Sequence, residues 1–214
     1  MNHQVCLTNL VMTGIQTPIF IRLGGRRNPP GRLRNVVISN ITATTESLLS
    51  SSITGIPGHL VEGVILRDIR AAVLGQGTEK HATRPVPEKE KSYPEYRMYG
   101  DSLPAYGLYV RHASGITLDN VHFTLRNPDA RPALVFEDAH AIDLRNLRAD
   151  PPTPAAPLLR LKDCSRIAIS GFRALQPLEQ FAHIEGSAAD AVWLAGNDFT
   201  GVKRVSNLSA AGPR

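Results

Sequence analysis

A short phrase recurs seven times along the chain: two apolar residues, mostly β-branched or leucine, separated by one variable residue, then another variable residue, then Asn, Asp or Gly. It reads VCLTNL at 5–10, VVISNI at 36–41, VILRDI at 64–69, ITLDNV at 116–121, IDLRNL at 142–147, IAISGF at 167–172 and VWLAGN at 192–197. The phrases start at Val5, Val36, Val64, Ile116, Ile142, Ile167 and Val192, giving spacings of 31, 28, 52, 26, 25 and 25 residues. A period of this length marks stacked supersecondary units, each of which buries its apolar side only against its neighbours.

Within each phrase the pattern is that of a strand. Apolar side chains two residues apart point to one face. The residue between them (Cys6, Val37, Ile65, Thr117, Asp143, Ala168, Trp193) varies freely, as an outward position can. The small polar residue that follows (Asn9, Asn40, Asp68, Asn120, Asn146, Gly171, Gly196) is of a type that tolerates left-handed backbone angles, so the chain is expected to turn there. Stacked Asn side chains are expected to bond along the axis as a ladder. A second family of strands precedes the first, at 18–23, 52–56, 106–112, 132–137, 157–162 and 181–186. Short strands without helical periodicity, and without the fixed frame of leucine-rich repeats, predict an all-β fold. The expected fold is a right-handed parallel β-helix of about seven coils, stacked to roughly 34 Å at one coil per 4.8 Å. The domain is expected over 1–199, with a C-terminal tail at 200–214. The first coil has nothing before it to cover its apolar side, so leading coils are expected to be missing.

Composition narrows the function classes. The chain is 42% hydrophobic, yet no apolar run approaches the roughly 20 residues of a membrane span. Residues 1–4 lack the basic and apolar regions of a secretory signal. Cys6 and Cys164 fall in the first and sixth repeats, about 24 Å apart along the stack, and are expected to be free.

The 52-residue spacing contains the one interruption, a Pro-, Gly- and charge-rich segment at 74–104 that predicts a long loop inserted into one coil. All five tyrosines (Tyr93, Tyr96, Tyr99, Tyr106, Tyr109) lie in it or just after it, and such rings offer flat apolar faces to sugars. Five arginines (Arg22, Arg26, Arg27, Arg32, Arg34) precede Glu46, the first acidic residue, and match the net charge of +5. Flanked by Gly24, Gly25 and Gly31, they suit carboxylates or phosphates. Nucleic acid is disfavoured: there is no recognition helix, no aromatic interleaving within 22–34 and no RNA-binding motif. His112, beside Arg111 at a strand end, is the best histidine for contacting sugar. The acids Glu62, Asp68, Asp119, Asp138 and Asp143 are scattered over several coils, the seven histidines show no metal spacing, and no G-x-S-x-G turn is present. No metal or cofactor is implied.

The stretches LTNLVMTGIQTPIFIRLG (7–24), GRLRNVVISNITA (31–43), ITGIPGHLVEGVILRDIR (53–70) and PEYRMYGDSLPAYGLYVRHASGITLDNVHF (94–123) resemble, in order, blocks of glycoside hydrolase family 28, the polygalacturonases and rhamnogalacturonan hydrolases. The resemblance covers about residues 4–150. It implies a pectin-lyase-like β-helix, an acidic plant polysaccharide (pectin, rhamnogalacturonan) as partner, and a secreted or periplasmic full-length protein. It implies hydrolysis with inversion by paired aspartates, and the family's N-T-D, D-D, G-H-G and R-I-K blocks precede the coil matched here by PIFIRLG. This chain has no Asp before Asp68, no Asp-Asp, no G-H-G and no R-I-K, so no catalytic residue is assigned. It looks like the C-terminal portion of such an enzyme, inactive alone. In a complete enzyme of this kind the 74–104 loop is expected to wall the cleft, and expected substrate contacts are Arg22, Arg26, Arg27, Tyr96, Tyr99, Tyr106, Arg111 and His112. The alternatives are a noncatalytic polysaccharide-binding β-helix, a structural β-helix of the adhesin kind, disfavoured by the long loop, and a calcium-dependent pectate lyase, disfavoured by the lack of a carboxylate cluster.

Overall fold

A computed structural model describes residues 4–28, 30–153, 156–186 and 192–207. It is a parallel β-helix, and the seven phrases are seven coils in phrase register. On one face run β1 (Val5–Ile15), β3 (Leu33–Thr45), β5 (Val61–Val73), β6 (Leu108–Leu125), β7 (Leu134–Arg145), β10 (Ser165–Ser170) and β12 (Val192–Ala195). Val5 pairs with Val36, Val36 with Val64, Val64 with Ile116, Ile116 with Ile142, Ile142 with Ile167 and Ile167 with Val192, all in parallel. The second family forms another face: β2 (Phe20–Arg22), β4 (Ser51–Thr54), the starts of β6 and β7, β9 (Leu159–Lys162), β11 (Leu178–Glu185) and β13 (Val202–Ser206). The long strands continue past the Asn turn into a third face, joined there by β8 (Arg148–Ala149) on β6. Val202–Ser206, expected in a tail, instead adds a strand, because its alternating residues pair with Leu178, Gln180 and Ala182. Residues 208–214 lie outside the described residues.

The turn prediction holds at every coil. Asn9, Asn40, Asp68, Asn120, Asn146, Gly171 and Gly196 all have φ between +53° and +65°. The ladder forms in pairs. Asn40 Nδ2 donates to Asn9 Oδ1 at 2.6 Å, and Asn120 Nδ2 donates to Asp68 Oδ1 at 2.5 Å. At Gly171 a side chain is excluded, since a Cβ there would lie 2.4 Å from Asn146 Oδ1.

The inward positions of the middle coils are sealed. Val64, Leu66, Ile116, Leu118, Ile142, Leu144, Ile167 and Ile169 are all buried, and burying each such side chain stabilises the stack by about 1.5–3 kcal/mol. Phe172, Phe181 and Phe199 close the interior near the far end, with ring centroids 4.4–5.8 Å apart. The near end is open. Val5 and Leu7, inward by phrase position, are 43% and 47% exposed, and with Ile19, Ile21, Val36 and Ile38 they line a cavity of about 460 Å³.

The 74–104 segment is a loop, with one short helix, α1 (Glu79–Ala82). It folds back over the outside of the second face. There Met98, Tyr99, Leu103 and Ala105 bury themselves against Tyr109 and Val135, with Phe20 and Val86 at the edge. This second small core lies outside the solenoid. Both ends of the loop are held by a fully buried ion pair. Arg131 Nη2 lies 2.7 Å from Asp129 Oδ2, and Arg131 Nη1 donates to the carbonyls of Leu48, Leu103 and Ala105. Asp129 Oδ2 accepts from the Gly77 N–H at 2.9 Å.

Candidate functional site

The loop determines which of the expected contact residues remain free. Arg22 and Arg111 stand on the second face at stacked outward positions, with Thr54 between them in register. The Nη atoms of both guanidinium groups are spent on the protein's own backbone, mostly that of the loop, and the Nε of each is buried without a hydrogen-bond partner among the described residues. Arg22 Nη1 donates to Gly55 O at 2.6 Å, and its Nη2 donates to Glu88 O at 2.9 Å and Lys89 O at 3.2 Å. Arg111 donates to Val86 O at 2.6 Å and Pro87 O at 2.9 Å. Burial, aided by the Arg111 charge, pulls Arg22 below its ordinary pKa. Four consecutive loop carbonyls, with that of Gly55, thus occupy the fork geometry that a sugar carboxylate was expected to fill.

Two expected tyrosine contacts are likewise internal. Tyr99 is 2% exposed and donates its hydroxyl to Thr54 Oγ1 at 3.0 Å. Tyr106 belongs to the main core and donates to Asp150 O, and burial is the main cause pushing its phenol well above the ordinary tyrosine value. Both rings are enclosed by the protein, out of reach of a ligand. Tyr109 is also buried, bonded to Glu137 Oε2 at 2.7 Å.

Arg26, Arg27, Tyr93 and Tyr96 remain at the surface. The Arg26 guanidinium lies over the Tyr93 ring, 5.4 Å from its centroid, and Tyr93 is 71% exposed. Arg97 lies over Tyr96 at 5.5 Å and is held by Gln16 Oε1. Gly25, whose N–H donates to Glu90 O at 2.7 Å, fixes the arginine segment against the loop. No ion pair among the described residues includes Arg26 or Arg27.

His112 is the centre of a polar chain that no short motif reveals. It lies at the corner between the second face and the phrase face, with φ +51°. Asp138 and Asp163 occupy the same left-handed corner in the next two coils, at φ +46° and +52°. Stacking therefore places residues about 26 positions apart one coil above another. His112 Nδ1 is 2.6 Å from Asp138 Oδ2, and Nε2 is 3.0 Å from Glu88 Oε2 of the loop. Asp138 Oδ1 meets His140 Nε2 at 3.2 Å, and His140 Nδ1 meets Ser165 Oγ at 2.9 Å. Glu88 Oε1 closes the chain on Arg111 at 3.3 Å. Burial alone would raise the Asp138 carboxyl, but the hydrogen bonds and charges of His112 and His140 outweigh it and hold it below its usual value. Counting four residues back from each phrase would have exposed this corner column.

Glu88 and Asp138 are two carboxylates facing each other, yet the His112 ring fills the space between them. Inversion at a glycosidic bond requires that gap for a water and the sugar, so this pair is a clamp on the loop. A cleft of about 390 Å³, unforeseen from sequence, lies between α1 and the later coils, lined in part by Glu79, Ala82, Arg160 and His183. Among the described residues no group of three or more His, Cys, Asp or Glu side chains is placed to hold a metal ion, and no helix is long and apolar enough to cross a membrane. Searches of family models, of curated proteins and of solved structures find no match to this chain.

Proposed function

We propose that this chain binds an acidic plant polysaccharide of the pectin type at the rim where the 74–104 loop meets the early coils. It does so as the noncatalytic portion of a β-helical hydrolase of the family 28 kind. The observation that carries the reading is Arg26: an exposed guanidinium without a carboxylate partner among the described residues, laid over the exposed Tyr93 ring. A ring face for the sugar and a charged fork for its carboxylate are the two elements that recognition of a uronate needs. Arg27 and the Tyr96–Arg97 pair supply the same chemistry nearby.

The hydrolase half of the reading rests on the block order of the sequence. In that reading the reacting carboxylates come from further coils seated on the open edge of β1. The chain alone then binds oligogalacturonate saturably and releases no reducing sugar from polygalacturonate or rhamnogalacturonan above background. Binding is measured by calorimetry with hexagalacturonate. Absence of binding overturns the recognition half, and measurable sugar release overturns the noncatalytic half.

A further inference from the structure

Counting six residues onward from the start of each phrase gives Val11, Thr42, Arg70, His122, Arg148, Arg173 and Asp198. The strand register stacks these positions directly: Val11 on Thr42, Thr42 on Arg70, Arg70 on His122, His122 on Arg148, and Arg173 beside Asp198. Three consecutive coils therefore stack Arg70, His122 and Arg148 in one outward column on the third face, and Arg173 holds the same phrase position in the next coil. The loop packs on the second face, and the hydrogen bonds that tie it down involve none of these four residues.

The neighbouring outward column shows how this scaffold normally treats charge. Three residues onward from each phrase start stand Thr8, Ser39, Arg67, Asp119, Arg145, Ser170 and Ala195. There the signs alternate, and Arg67 pairs with Asp119 at 3.3 Å. The basic column has no such relief in its middle. Its one ion pair among the described residues is Arg173–Asp198 at 3.6 Å, at the end of the run. Like charges one coil apart, roughly 4.8 Å, destabilise a sheet. Burial, and then the charges of Arg70 and Arg148, push the His122 pKa down.

The two central guanidiniums are also held in place. Arg70, exposed, donates to Ile69 O and Asn120 Oδ1 at 3.2 Å and to Asn120 O at 2.8 Å, and Arg148, half-buried, donates to Leu147 O at 2.9 Å and Gly171 O at 2.7 Å. Each bridges to the turn of the following coil. These carbonyl contacts orient the fork without neutralising it, and each guanidinium has five N–H donors to distribute.

We propose that the column Arg70–His122–Arg148–Arg173 is a second binding track, distinct from the rim, for a linear acidic polysaccharide lying parallel to the solenoid axis. The identity of the polymer as a uronate rests on the function proposed above, whereas the requirement for a polyanion rests on the column itself. A single-stranded nucleic acid fits less well, since no Phe, Tyr or Trp stands in the column to stack on bases. His122 becomes the third central cation when it takes up a proton, so the track binds more tightly in acid. The groups facing His122 are Arg70 from β5 and Arg148 from β8. A polyanion laid across them reverses their effect and favours its protonation.

The test is an NMR titration of the His122 ring in the full chain, with and without saturating hexagalacturonate. It is repeated with Arg70→Gln/Arg148→Gln, His122→Gln and Arg26→Ala/Arg27→Ala. The expected result is a rise in the His122 pKa on binding, and column affinity about tenfold higher at pH 5 than at pH 8, the effect of one charge-assisted hydrogen bond. That pH dependence is absent in His122→Gln, and the whole effect is absent in Arg70→Gln/Arg148→Gln. An unmoved His122 alongside binding that Arg26→Ala/Arg27→Ala abolishes overturns the track alone. A shifted His122 with binding unchanged by Arg26→Ala/Arg27→Ala upholds the track and overturns the rim. Response at neither site overturns both, and an equal His122 shift with single-stranded DNA overturns the polysaccharide assignment.

Discussion

Replacing Asp129 by Asn should destabilise the fold more than any surface change, and should do so first at the loop. Asp129 and Arg131 are 1% and 0% exposed. The carboxylate accepts four bonds: from the Gly77 N–H, from the Arg131 N–H at 2.8 Å, and from Arg131 Nε and Nη2 at 3.0 and 2.7 Å. The introduced amide would face Nη2 with either a neutral oxygen or an opposing N–H, leaving a buried guanidinium without its counter-charge. Breaking a buried pair in this way costs about 3–5 kcal/mol, which lowers the Tm of a chain of this size by roughly 6–20 °C. The assay is urea unfolding followed by far-UV circular dichroism, with limited proteolysis of the native state to locate the weakening. Gly77 marks the loop's start and the Leu103 and Ala105 carbonyls its end, so cleavage is expected within 78–102 before the coils open. The double variant Asp129→Asn/Arg131→Met should cost less than the two single changes together, because the second no longer strands a charge. A loss below about 1 kcal/mol for Asp129→Asn, or strict additivity, would refute the reasoning.

Other consequences are as direct. Gly77→Ala should reproduce the same loop release, since a Cβ there would lie 2.2 Å from Arg131 Nε and 2.4 Å from Asp129 Oδ1; normal proteolytic resistance would contradict the packing. Cys6 is exposed and should react with a thiol reagent in the native protein, whereas Cys164, buried and with its thiol pushed up to about 11 chiefly by burial, should react only on unfolding. Ala141→Gly should stabilise by about 1 kcal/mol, because Ala141 holds φ +53°; an unchanged urea midpoint would argue against strain there. The lowered Asp138 pKa means that its stabilising contribution is complete above the unfolded carboxyl value and is lost as pH falls through the folded one. Asp138→Asn should therefore flatten the acid limb of stability against pH, and an identical limb would deny the linkage.

The solenoid was legible because two local signals coincide in every coil. The alternating apolar pair faces the interior, and the Asn, Asp or Gly after it occupies a left-handed turn, which only a few residue types accept cheaply. Arg22 and Arg111 were legible as anion-seeking forks but not as to which oxygens they grip. Choosing between a sugar carboxylate and the carbonyls of Val86–Lys89 requires the path of a loop that has no periodicity. Tyr99 and Tyr106 failed for the same reason, since burial of a tyrosine next to a loop depends on where the loop lands. Asp129 and Arg131, two residues apart in a Pro- and Asn-containing turn, look in sequence like solvated charge. The His112–Asp138 corner and the basic column lie at fixed offsets from the phrase, and become visible once the repeat is used as a ruler.

The arginines fall into those spent on the loop and those left for a ligand, and one comparison tests that division most directly. Hexagalacturonate affinity and Tm are measured side by side for Arg26→Ala/Arg27→Ala and for Arg22→Ala/Arg111→Ala. The first pair should lose at least about tenfold in affinity, the value of one charge-assisted contact, with Tm unchanged. The second should lose Tm, with loop proteolysis rising. Loss of affinity at unchanged Tm for Arg22→Ala/Arg111→Ala, with Arg26→Ala/Arg27→Ala silent, would contradict the account.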